Sequence, residues 1–118
     1  MAIDGKRKDP RIPSSNLIAY VVRDQNDQGI MQGMGRTLNV SEGGILLETH
    51  VPLDPHHVVT LTIALEDELI EFKGRIAHST KREDGGFTSG ITFREMNEEK
   101  RQYLKQYCIL FKGQEPML

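Results

Sequence analysis

Val58-Val59-Thr60-Leu61-Thr62-Ile63-Ala64-Leu65 runs through Glu66-Asp67-Glu68 into Leu69-Ile70-Glu71-Phe72-Lys73-Gly74-Arg75-Ile76-Ala77-His78. β-Branched and aromatic residues dominate both runs. The second carries apolar residues at 70, 72 and 76 with polar ones between, the period of a half-buried strand. The acidic triplet between them closes a hairpin, so this stretch reads as two antiparallel strands.

The same grammar extends outward in both directions. Phe87 to Phe93 forms a further strand after the hairpin signal Asp84-Gly85-Gly86. Upstream, Gly44 to Thr49 makes a short strand, separated from residue 58 by the turn Pro52-Leu53-Asp54-Pro55. Met31 to Asn39 makes another, with Gly33 and Gly35 marking a bulge or bend. Leu17 to Arg23 is the first strand, followed by the polar loop Asp24 to Gly29.

After Asn97 the period changes. Asn97 is a good N-cap, and Glu98 and Glu99 suit the positive end of a helix dipole. Tyr103, Leu104, Tyr107, Cys108 and Phe111 then recur on one helical face, and Gly113 is a stop signal. Six closely spaced strands and one terminal helix predict an all-β fold: a six-stranded antiparallel barrel with a C-terminal α-helix packed against it. The expected organisation is an arm over residues 1–13, the barrel and helix over 14–112, and a disordered tail over 113–118.

Composition narrows the function classes. The 118 residues suit one domain. A formal net charge of −2 gives no general attraction to nucleic acid or anionic membrane, so any basic site must be local. Cys108 is the one cysteine, which excludes an intrachain disulfide. No secretory leader or membrane-length apolar run is seen, so a cytoplasmic location is expected. His50, His56, His57 and His78 lack the spacing of a zinc site, and no nucleophile–base pair stands out. Neither metal binding nor catalysis is expected.

Two stretches carry candidate chemistry. Arg7-Lys8-Asp9-Pro10-Arg11 places two guanidinium groups on an arm stiffened by Pro10 and Pro13, and such forks grip phosphate or the O6/N7 edge of guanine. Asn39-Val40-Ser41-Glu42-Gly43-Gly44 joins the second and third strands and offers an amide and a hydroxyl from one turn. Gly43 and Gly44 are read as permitting positive φ and close approach of a ligand. The plain alternative for this turn is side chains that bond their own backbone.

In order, an RxxxR arm precedes the first strand, an [D/N]xSxxG turn follows the second, and Gly74-Arg75-Ile76 and Gly90-Ile91-Thr92-Phe93 come later. This arrangement resembles the PilZ domain family, bacterial receptors for cyclic di-GMP, from about Lys6 to about Phe111. The resemblance implies that Arg7 and Arg11 contact phosphates and guanine faces, and that Asn39, Ser41 and Gly44 hold a guanine edge. Asn39 stands where the family more often has Asp, which implies weaker binding. Lys6, Gly43 and His78 are further candidates. The implied function is a cytoplasmic receptor for cyclic di-GMP that needs no cofactor and binds an unidentified protein partner, but no nucleic acid, within motility or biofilm regulation. A PilZ-like adaptor that no longer binds the nucleotide is the alternative. An oligonucleotide-binding barrel ranks lower, since aromatics are 6% of the chain.

Overall fold

A computed structural model describes residues 16–65 and 67–113. Six strands and one helix follow in chain order: β1 (Leu17–Arg23), β2 (Gly29–Val40), β3 (Gly44–Thr49), β4 (Val58–Leu65), β5 (Glu68–Lys81), β6 (Phe87–Arg94) and α1 (Glu98–Gly113). The strands close into a barrel in the order β1-β2-β3-β6-β5-β4, with every neighbouring pair antiparallel. The expected all-β barrel with one C-terminal helix is therefore the observed fold. Strand β5 extends to Lys81, three residues past the predicted end, and β2 begins two residues earlier than predicted.

Alternation fills the interior. Ile18, Tyr20 and Val22 of β1, Val59, Leu61, Ile63 and Leu65 of β4, and Phe72 and Ile76 of β5 are all buried. Each such side chain contributes roughly 1.5–3 kcal/mol relative to exposure, which offsets the entropy of ordering the strands.

Helix α1 closes one end of this barrel. Asn97 caps it, its Oδ1 accepting from the Lys100 amide at 2.8 Å. The predicted apolar face is indeed the packed one: Leu104, Tyr107 and Phe111 are buried, while Tyr103 and Cys108 pack at its margin. The Tyr103 hydroxyl donates to the Glu68 carbonyl at 2.7 Å, and its ring lies 6.2 Å from that of Phe72. On the other flank the Tyr107 hydroxyl bonds the Thr37 hydroxyl at 2.8 Å, both groups being buried.

The long β5–β6 hairpin turns at Asp84-Gly85-Gly86. Gly85 adopts φ 99°, which only glycine takes without strain, and the Asp84 carboxylate accepts from the Gly86 amide at 3.0 Å. That bond and the nearby Arg82 guanidinium hold the Asp84 carboxyl below its ordinary pKa.

Candidate ligand site on the outer face of the barrel

The Asn39–Gly44 turn lies at the barrel end where β1 begins, since Leu17 pairs with Arg36 three residues before Asn39. The turn is compact. The Ser41 amide donates to the Gly44 carbonyl at 2.9 Å, the Gly43 amide donates to Ser41 Oγ at 3.3 Å, and the Gly43 carbonyl accepts from the Phe93 amide at 3.0 Å. Asn39 Oδ1 accepts from the Val40 amide at 2.9 Å. The side chains thus satisfy their own backbone, while the Asn39 carboxamide NH2 makes no hydrogen bond among the described residues.

The two glycines do not use the positive φ expected from sequence. Neither takes positive φ; among the described glycines only Gly85 does. Gly44 is needed for close approach instead: a Cβ there would sit 2.5 Å from the Ile91 carbonyl oxygen on the paired strand. Gly43 has no such crowding, its nearest neighbour being Ser41 Oγ at 4.0 Å from an added Cβ.

Two β-bulges decide which way the candidate side chains face. In β2, Gly35 and Thr37 point inward, and strict alternation would send Asn39 inward as well. The register shifts between Thr37 and Asn39, Leu38 is the extra residue, and Asn39 emerges exposed. In β5, Phe72, Gly74 and Ile76 point inward, and a second shift between Ile76 and His78 turns His78 outward. The pairings Asn39–Leu46, Leu46–Gly90 and Gly90–His78 then set these residues in one row across four strands. At about 4.8 Å per strand the row spans about 14 Å. The His78 imidazole covers Gly90, where even a Cβ would collide with the ring.

An open depression of about 260 Å³ lies at the Asn39 end, lined by Asn39, Val40, Ser41, Gly44, Ile45 and Leu46. The structure therefore brings Asn39, Ser41, Gly44 and His78 to one face. Leu46 and Gly90 join them, and sequence reasoning assigned them no site role. Alternation in β3 already points Leu46 outward, but the register that places it beside Asn39 is invisible in one dimension. Arg36, on the same strand as Asn39, is engaged elsewhere: its Nε and NH2 reach Glu48 Oε1 at 2.8 and 2.7 Å. Lys6, Arg7 and Arg11, and the arm over 1–13 and most of the tail over 113–118, lie outside the described residues.

Helix α1 comes close to this turn on the inner side. Burial raises the pKa of the Cys108 thiol, Lys112 offsets part of that, and Glu42 of the turn adds to it. No cluster of metal-binding side chains occurs among the described residues, and no helix there is long and apolar enough to cross a membrane.

A profile of the PilZ domain family matches residues 5–110. The chain belongs to the PilZ domain family. Solved structures agree in fold. The PilZ domain of CeSA from a cellulose-synthesizing bacterium has 17% identity and a TM-score of 0.57, covering 83% of this chain and 95% of that one. The Bacillus subtilis inhibitor of motility MotI/DgrA has 13% identity and a TM-score of 0.62, over 95% of this chain and 55% of that one. The MrkH–c-di-GMP complex of K. pneumonia has 17% identity and a TM-score of 0.57, over 94% and 52%. This PilZ chain thus spans about half the length of MotI and MrkH, and at these identities the likeness shows the fold alone. No curated protein gives a significant match.

Proposed function

We propose that this PilZ domain is a cyclic di-GMP receptor of the bacterial cytoplasm, with no catalytic step, that acts in motility or biofilm control. The observation that carries the reading is the pair of bulges that turns Asn39 and His78 onto one outer row beside Ser41 and Gly44. Bulges are features that re-aim side chains next to functional sites. Family membership supports the ligand class, and MrkH is a relative in fold solved with c-di-GMP.

In this reading Arg7 and Arg11 close over the row. They precede Leu17 by ten and six residues, and a chain reaches about 3.3–3.6 Å per residue, so both can extend to the turn. Their forks pair with phosphates and with guanine O6/N7, Lys6 adds charge, and the free Asn39 NH2 donates to a purine acceptor. The His78 ring forms the far wall. The arm is polar and carries clustered positive charge, so the ligand supplies what orders it, and the changed surface is what a protein partner reads.

Calorimetric titration with cyclic di-GMP tests this, with GTP, cyclic GMP and cyclic di-AMP as controls. Binding of the first alone is expected, together with slowed amide exchange over residues 1–13. The self-satisfied hydrogen bonds of Asn39 and Ser41 favour a second reading, the adaptor that has lost the nucleotide. Silence with cyclic di-GMP would establish that one in its place.

A further inference from the structure

A second, basic face lies on the outside of the same barrel. The register places Arg23 of β1, Val58 of β4, Arg75 of β5 and Thr92 of β6 in one row. Val21, Thr60, Lys73 and Arg94 form the adjacent row on the same strands. Side chains two apart on a strand share a face, so Arg23, Lys73, Arg75 and Arg94 all project outward together. The chain as a whole is negative, yet this face gathers four cations: Arg23, Lys73 and Arg94 line a cleft with Asp27 and Glu95, Arg75 lies beside it, and Glu71 and Asp24 stand at its margins.

Several details favour an anion on this face. Lys73 and Arg94 stand directly opposite each other in the ladder, an arrangement of like charges that weakens strand pairing. Lys73 has one exposed acidic neighbour, Glu95 at 3.5 Å. Arg75 and Arg94 make no ion pair or side-chain hydrogen bond among the described residues. Arg23 is held in place: its Nε donates to Thr60 Oγ1 at 3.1 Å and its NH1 to the Asp27 carbonyl at 3.2 Å. That contact covers Thr60, which is 8% exposed although it faces outward.

The cleft bounded by Arg23, Thr60, Lys73 and Arg94 has a volume of about 100 Å³. Small-molecule sites run to roughly 300–1,000 Å³, so this one fits a single oxyanion group rather than a nucleotide. The rows offer no aromatic side chain on which a base would stack, which disfavours single-stranded RNA. Their spacing suits an extended peptide, whose alternate side chains recur every 6–7 Å or so, about the separation of the two rows.

We infer that the outer face built from Arg23, Lys73, Arg75 and Arg94 docks an acidic, extended segment of a partner protein. One carboxylate enters the cleft between Arg23 and Arg94, and a second, two residues along, meets Arg75. The inference does not depend on nucleotide binding, although Thr92 pairs with Gly44 on its other side and so brings the two faces together.

The test uses the full chain, labelled with nitrogen-15 and titrated without nucleotide. The probes are an acetylated peptide alternating Glu and Ser, the same peptide with Gln for Glu, and an oligouridylate of equal length. The Glu peptide should shift the amides of Arg23, Thr60, Lys73, Arg75 and Arg94, and the Gln peptide should not. Affinity should fall at least about tenfold in the Lys73→Gln/Arg94→Gln double variant and by a similar factor between about 50 and 300 mM salt. Arg36→Gln should leave it unchanged. Should the double variant fail to fold, Arg75→Gln is expected to lose about threefold or more by itself. Shifts centred on another face, affinity indifferent to these substitutions, or tighter binding of the oligouridylate would each overturn the inference.

Discussion

Gly44→Ala tests the close approach of β3 to β6. The added Cβ would lie 2.5 Å from the Ile91 carbonyl oxygen, whereas ordinary C···O contacts fall near about 3.3–3.6 Å. The strands must therefore part by about 1 Å at that point. The Gly43 carbonyl, bonded to the Phe93 amide at 3.0 Å, sits one residue away, and that bond stretches past useful length. Overpacking costs about 1–3 kcal/mol and one lost backbone hydrogen bond about 0.5–1.5 kcal/mol, so the sum is roughly 1.5–4.5 kcal/mol. At about 4 °C per kcal/mol for a domain of this size, Tm should drop by roughly 6–18 °C. Gly43→Ala is the internal control. Its Cβ meets nothing closer than 4.0 Å and the residue is exposed, so stability should stay within about 0.5 kcal/mol of the parent. Urea and thermal unfolding of the three proteins, followed by circular dichroism, give the free-energy and Tm changes. A Gly44→Ala protein as stable as the parent, or a Gly43→Ala protein equally damaged, would refute the packing argument.

Arg7→Ala and Arg11→Ala should each weaken cyclic di-GMP binding about ten- to hundredfold by calorimetry while leaving the urea midpoint unchanged, since each removes charge-assisted bonds of roughly 1.5–3 kcal/mol. Asn97→Ala deletes the cap on the Lys100 amide and should cost about 1 kcal/mol in the same unfolding assay. Tyr107→Phe leaves the buried Thr37 hydroxyl without its partner and should cost about 1–3 kcal/mol. Burial holds the pKa values of Cys108, Tyr107 and Tyr20 above their ordinary ones, so the unfolded chain releases these protons first as pH rises. Between about pH 6 and 8 all three are protonated in both states and stability should be level, and it should decline above about pH 8.5; a flat profile to pH 11 or so would contradict this.

Much of the fold could be read from sequence because alternation and turn chemistry agree locally. Residues 58–65 and 69–78 look like strands, Asp84-Gly85-Gly86 looks like a turn, and Tyr103, Tyr107 and Phe111 share one helical stripe. Each signal lies within a few residues of its neighbour. The candidate site was half legible. Asn39, Ser41 and Gly44 could be picked out as a turn, but the reason for Gly44 lies on β6, in the Ile91 carbonyl. The outward turn of Asn39 and His78 depends on extra residues at Leu38 and Ala77, and neither residue type announces a bulge. Register between strands such as β3 and β6, some 40 residues apart, cannot be inferred from either strand alone.

Helix α1 has a consequence for how the chain is made. It contributes Leu104, Tyr107 and Phe111 to the core, and it lies downstream of every strand it seals. Strand β1 must also wait for β4, some 40 residues later, before its second edge is covered. A ribosome that has released only the six strands has therefore produced a barrel with an open, apolar end. Folding of this domain is completed only once residue 111 has left the exit tunnel. Until then that apolar end stays uncovered, and a chain stopped shortly before Tyr103 should be degraded rather than partly active.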